Sequence, residues 1–134
     1  MAHPSVVEAT EDRMQAMWTH TEWRGVNNNA APPADGSPYV LVQFPASRNS
    51  TMSVDTRQEA EEGGIRFVVH VPAGMGKSEA NTLVRHLRTI FRRAKFGGVE
   101  TGPMSSPTYD DANDVGPFFL ASVVFPYVFH TEES

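Results

Sequence analysis

Residues 65–96 read IRFVVHVPAGMGKSEANTLVRHLRTIFRRAKF, and this stretch decides the fold. Its first residues alternate with a period of two, which predicts a strand with one apolar face. That face carries Ile65, Phe67, Val69 and Val71. Pro72 and the glycines that follow it break the strand, because proline lacks a ladder donor and glycine turns freely.

A helix is predicted directly after this break. Apolar residues recur there at helical spacing and share one face: Ala80, Leu83, Val84, Leu87, Ile90, Phe91 and Ala94. Ser78 is predicted as the N-cap, with Glu79 near the positive end of the helix dipole. Gly97 and Gly98 are predicted to end the helix.

The remaining pattern predicts one domain over residues 1–134. A first helix is expected from about residue 5 to 19, because Ser5 and Glu8 match a capping box. Further strands are predicted at residues 39–44, 51–54, 99–104 and 118–129, the last with two apolar faces and therefore central. Long loops are expected at about residues 20–38, 45–64 and 104–116. The expected fold class is α+β, a mainly antiparallel mixed sheet of about four to five strands flanked by two main helices.

Composition excludes several classes of protein. The chain has no cysteine, which rules out disulfide scaffolds, thiolate metal sites and cysteine nucleophiles. No apolar run approaches the ~18 residues of a transmembrane helix, so no membrane contact is expected. Eleven basic and sixteen acidic residues give a net charge of −5, which provides no general attraction to nucleic acid.

The glycine loop at residues 74–78, GMGKS, is similar to the end of a phosphate-binding P-loop. That motif needs a glycine five residues before Gly76, where this chain has Val71. A nucleotide hydrolase is therefore not expected, although helix N-termini attract anions and a phosphate contact stays open. The histidines lack metal-ligand spacing, so no catalytic residue, metal or cofactor is expected, and the chain is not expected to be an enzyme.

The only basic surface is predicted on the second helix, at Arg85, Arg88, Arg92 and Arg93, followed by Lys95. Three interpretations remain open: a solvated helix face, an ion-pair surface that meets an acidic neighbouring subunit, and a nucleic-acid contact. The acidic complement expected for the second is the run Glu59, Glu61 and Glu62, in a polar loop that also carries Arg48 and Arg57. These nine residues are the candidate subunit or tube interface.

The order of these motifs resembles a known family. YVLV at residues 39–42 is followed by a polar loop, EGG at 62–64, VPAGMG at 71–76, LRTIF at 87–91 and FPYVF at 125–129. Over residues 5–129 this order resembles the tail terminator (tail completion) proteins of long-tailed bacteriophages and of related prophage and gene-transfer-agent clusters.

The resemblance implies a structural role in the virion, at the head-proximal end of the tail, after assembly in the host cytoplasm. Such proteins form a homo-oligomeric ring, a hexamer, that caps the tail tube, stops its polymerisation and offers a docking surface to the head–tail connector. DNA only passes through the lumen. The resemblance also makes residues 46–64 and 105–116 candidates for tube or connector contact. The alternatives are another neck or head–tail joining protein, and a small phosphate-binding enzyme that uses residues 74–78.

Overall fold

The computed structural model describes residues 3–25, 37–45, 47–53, 58–72, 76–110 and 118–132. Two helices precede and interrupt the strands: α1 (Pro4–Met17) and α2 (Gly76–Phe91). The strands are β1 (Glu22–Arg24), β2 (Tyr39–Gln43), β3 (Ser47–Ser53), β4 (Gln58–Pro72), β5 (Lys95–Phe96), β6 (Val99–Thr101), β7 (Thr108–Asp110) and β8 (Phe118–Glu132).

All the strands of the described residues belong to one mixed sheet. The order β1-β2-β4-β8-β6-β5 forms its path, while β3 also pairs with β4 and β7 with β8. In this part of the chain β1 and β2 are the one parallel pair, and every other pair is antiparallel. The α+β class is confirmed, but the eight strands exceed the predicted four to five.

Strands β4 and β8 form the centre of the sheet. Each has 15 residues, and they pair without interruption from Gln58 opposite Glu132 to Pro72 opposite Phe118. The central position predicted for the last strand is confirmed. Alternate residues of both strands are fully buried on one side, which we call the inner face; the opposite side is the outer face.

Both helices contribute to a core on the inner face. The rings of Phe67 on β4, Phe91 on α2 and Phe125 on β8 meet with centroids 4.7 to 5.9 Å apart. The α2 stripe predicted from periodicity is buried from Ala80 to Phe91, and α1 adds Val6 and Met14. Burying each large apolar side chain stabilises the fold by roughly 1.5–3 kcal/mol.

The prediction of a loop at residues 45–64 is wrong for the described residues, because they form two antiparallel strands of a β-hairpin. Strand β3 pairs with the first half of β4 from Ser47 opposite Gly63 to Ser53 opposite Gln58, with a bulge between Thr51 and Ser53. The sequence of this segment lacks the apolar alternation that marks residues 65–71, so its pairing becomes visible only in the backbone ladder. Short strands also lie in the other two expected loops, β1 at one and β7 at the other.

Three predicted helix boundaries are also wrong. Helix α1 is capped by His3, whose Nδ1 accepts a hydrogen bond from the Ser5 N–H at 3.0 Å, and proline occupies its first turn. Helix α2 begins at Gly76, so Ser78 lies inside it, and it ends at Phe91. Gly97 and Gly98, with φ of 55° and 84°, instead form the turn between β5 and β6. Two successive positive φ angles are typical of a tight hairpin, which glycine makes easily.

A buried carboxylate fastens α1 to the sheet. Glu61 is 6% exposed on the inner face of β4. Its Oε2 accepts a hydrogen bond from the Tyr127 hydroxyl at 2.6 Å. Both of its oxygens lie 3.1 Å from the His3 backbone nitrogen, which donates to them. A carboxylate at a helix N-terminus also faces the positive end of the dipole. Glu61 therefore joins α1, β4 and β8 at one point.

We expect Glu61→Gln to lower the free energy of unfolding by about 1–3 kcal/mol, because the amide lacks the negative charge and its NH2 group, a donor, replaces one of the two oxygens that accept from the His3 N–H. Urea unfolding followed by circular dichroism measures the change. Glu8→Gln, at an exposed position on α1, is the matched control and should stay within about 0.5 kcal/mol of the parent. Equal changes in the free energy of unfolding for the two variants would show that Glu61 does not anchor α1 to the sheet.

A histidine is buried on the outer face. His70 is 3% exposed and stacks on Tyr39, with ring centroids 4.2 Å apart and planes 15° from parallel. Burial lowers the pKa of His70 below its usual value, and the Val68 carbonyl beside its ring opposes that shift only in part.

The lowered pKa of His70 predicts that acid destabilises the fold. Below pH about 6.5 the unfolded chain binds a proton at this position before the folded chain does, so the free energy of unfolding falls as pH falls. His70→Phe keeps a ring against Tyr39 but removes the titration. Between pH 7.5 and 5.5 this variant should lose less stability in urea unfolding than the parent. Identical slopes for the variant and the parent would refute the prediction.

Candidate subunit interface

The exposed side of α2 carries a cluster of arginines. Arg85 and Arg88 lie on α2, and Arg92 and Arg93 follow in the turn directly after Phe91. Arg92 continues the helical spacing of the first two. All four are exposed. Together with Thr89 they line an open groove of about 490 Å³, which we call the arginine surface. The structure therefore brings together the four arginines of the candidate interface.

These guanidinium groups have no acidic partner within the described residues. The ion pairs there join Arg24 to Glu22 at 3.1 Å and Lys95 to Glu100 at 3.7 Å. Like charges one helical turn apart each cost a few tenths of a kcal/mol, and the negative end of the dipole offsets only part of this. The arginine surface is therefore a site that an acidic partner would stabilise.

Arg93 occupies a backbone position that usually belongs to glycine. Its φ is 48°, and its N–H donates to the Gly102 carbonyl at 3.2 Å, which stops α2. A left-handed conformation costs a residue with a Cβ roughly 1–2 kcal/mol, and helices commonly end on glycine for this reason. The strained residue places a fourth guanidinium at the rim of the groove.

Neither Glu61 nor Glu62 of the acidic run faces the arginine surface within one subunit. Glu61 points into the core, so its assignment to an interface is corrected: it is an internal anchor. Glu62 is exposed on the outer face, whereas α2 packs on the inner face. The adjacent residues diverge because successive strand side chains point to opposite sides. Only the backbones of Arg48 and Glu59 are described, opposite Glu62 and Thr51 respectively, and Arg57 lies outside the described residues.

A second surface concave towards solvent was missed by sequence reasoning. We call it the α1–β5 groove: it encloses about 330 Å³ and is lined by Ala9, Asp12, Arg13, Ala16, Met17, Phe96 and Gly97. Met17 is 45% exposed at its rim. The sequence signal was the small residues Ala9 and Ala16, two turns apart on α1. Strand β5 and the glycine turn after it, which complete the groove, lie where the helix was predicted to end, whereas β6 falls within the strand predicted at residues 99–104.

The chemical alternatives gain little from the geometry. The strand before the GMGKS segment lies between antiparallel neighbours, unlike the parallel sheets of P-loop proteins, and residues 73–75 lie outside the described part. His20 and His86 stack with centroids 3.7 Å apart. In the described residues, no group of three or more histidine, aspartate or glutamate side chains is placed to hold a metal ion.

Comparisons with known proteins leave function to be argued from the molecule itself. No protein-family model matches the chain, and no curated protein matches it significantly. Among the described residues, neither helix is long and apolar enough to cross a membrane.

We expect Arg93→Gly to raise the free energy of unfolding by about 0.5–1 kcal/mol, because glycine adopts a positive φ without steric cost. Arg92→Gly removes the same charge one residue earlier, where φ is not positive, and should lower stability by up to about 1 kcal/mol. Urea unfolding of both variants separates backbone strain from charge. Changes of the same sign would show that strain at Arg93 is negligible.

Proposed function

We propose that this chain is a structural subunit of a phage tail that acts as a tail terminator. Its copies assemble into a ring, a hexamer by the family resemblance, that caps the head-proximal end of the tail tube. The ring stops tube polymerisation and presents a docking surface to the head–tail connector. The protein performs no catalysis in this role.

The observation that carries the proposal is the arginine surface. An acidic chain keeps four exposed arginines together around one groove, without an acidic partner among the described residues. A surface of this kind suits a protein partner of opposite charge, because complementary charges set partner choice and orientation. A contact between different surfaces of identical subunits closes into a ring when its rotation allows it.

The antiparallel pair of β3 and β4 adds a second support. Strands β3 and β4 pair beyond Glu61, the position at which the N-terminus of α1 meets the sheet. That end of β4 also pairs with the last residues of β8. A strand at the edge of a sheet can meet a neighbouring assembly through its backbone groups. The pair replaces the loop expected at residues 46–64 as the candidate contact with tube or connector.

The second candidate in the same virion context is another neck protein, which would form a ring by the same subunit contact but bind different neighbours. The tube distinguishes the two candidates: a terminator halts tube growth, whereas a joining protein binds after growth has ended. The phosphate-binding enzyme is disfavoured because β4, the strand that precedes residues 74–78, lies between antiparallel neighbours.

The first test is native mass by light scattering, on the protein alone and then with purified tail tubes. A ring in solution, or a monomer that becomes a ring on tubes and stops their elongation, is the expected result. Arg88→Glu with Arg92→Glu should shift the assembly to monomer. Lys77→Glu with Arg66→Glu makes the same change in net charge at positions that line neither the arginine surface nor the α1–β5 groove and should assemble normally. A parent protein that stays monomeric and ignores tubes would refute the proposal.

A further inference from the structure

The α1–β5 groove leaves apolar side chains open to solvent, and this exposure does not stabilise the fold. Its walls are largely apolar, from Ala9 and Ala16 on α1 to Phe96 on β5, and Met17 stands half-exposed at one end. Apolar side chains gathered in an open groove are stabilised when another surface covers them. A partner that fills this groove must therefore offer apolar atoms.

The outward charge of the groove is negative. Asp12 lies in its lining, and Glu8 is exposed one turn earlier on α1. Arg13 also belongs to the lining, but its guanidinium turns inward: Nε and Nη2 donate to the Ile90 carbonyl at 2.9 and 2.7 Å. The same group lies 5.1 Å from the centroid of the Phe96 ring. The guanidinium of Arg13 is therefore held by contacts within the subunit. The carboxylates of Glu8 and Asp12 determine the charge that a partner would meet.

The groove and the arginine surface differ in charge and share no lining residue. They belong to neighbouring helices, since Arg13 of α1 binds the Ile90 carbonyl of α2 and Trp18 lies against His86. Each subunit therefore carries an acidic, partly apolar surface and a basic surface at separate places on one helical layer. Surfaces that complement each other but not themselves favour head-to-tail contacts over two-fold pairing.

We propose that the arginine surface of one copy docks into the α1–β5 groove of the next copy. Arg88 and Arg92 pair with Glu8 and Asp12 of the neighbour. The methylene stems of the arginines, with Thr89, cover the apolar wall of the groove, as long basic side chains do when their charged ends stay at the rim. This inference rests on the proposed ring and names the two surfaces that close it.

The contact is small, so a single pair of subunits should associate weakly. Each groove accommodates only a few side chains, and exposed ion pairs contribute little by themselves. A closed ring changes this balance, because the last subunit makes two contacts at once and its second contact is intramolecular. Assembly should therefore depend steeply on protein concentration and on salt, which screens the charges.

Charge exchange tests the pairing directly. Arg88→Glu with Arg92→Glu makes both surfaces acidic, and Glu8→Lys with Asp12→Lys makes both basic. Each variant alone should require at least tenfold higher concentration than the parent to assemble in low salt. An equimolar mixture should recover assembly, with the two variants alternating in rings of even number. A chain that carries all four substitutions should also assemble, because both surfaces are then reversed.

Native mass spectrometry of the mixture identifies the alternation, and the double variant Lys77→Glu with Arg66→Glu is the control of matched charge. Circular dichroism confirms that each variant is folded, and recovery in the mixture confirms it again. If the parent assembles, in solution or on tubes, but neither mixture nor fourfold variant recovers, the docking is wrong and the ring proposal stands. If the parent never assembles, both are wrong. Loss of duplex DNA binding in the arginine variant, with assembly unchanged, would assign the arginine surface to nucleic acid instead.

Discussion

The antiparallel pairing of β4 with β8 is the constraint on which the rest of the structure depends. Its 15-residue ladder aligns the inner-face residues of two strands that are far apart in sequence. Phe67 and Phe125 become neighbours through this register, and α2 packs against both by inserting Phe91. A slip of one residue would turn every one of these side chains to the other face. The ladder therefore orients the sheet, its core and the helix that carries the arginines.

The same ladder explains how one chain displays two opposite charges. Both helices pack their apolar stripes on the inner face, so their polar sides must point outward. Helix α1 presents carboxylates there and α2 presents arginines, with Arg13 and the Ile90 carbonyl holding the two together. Helix packing fixes the separation of the charges. Both surfaces therefore stay available to a partner, which an ion pair between them within the subunit would prevent.

Local pattern succeeded where apolar residues were dense and regular. The period of two in β4 and β8 and the helical stripe of α2 are strong because many buried side chains agree on one face. It failed for the β3–β4 hairpin, whose strands exist through backbone pairing and carry no apolar alternation. It also failed at Gly97 and Gly98, because glycine pairs end helices and turn hairpins alike.

The sequence by itself determined the α+β class, the central strand and the grouping of four arginines, since helical and strand periods place residues on faces without help from distant partners. Only the tertiary structure decided which charged side chains are buried and which are exposed. Glu61 and Glu62 are adjacent in sequence, yet one is a buried anchor for His3 and Tyr127 and the other is exposed. The α1–β5 groove likewise joins residues about eighty positions apart. Burial and concavity are properties of packed elements, and no local pattern contains them.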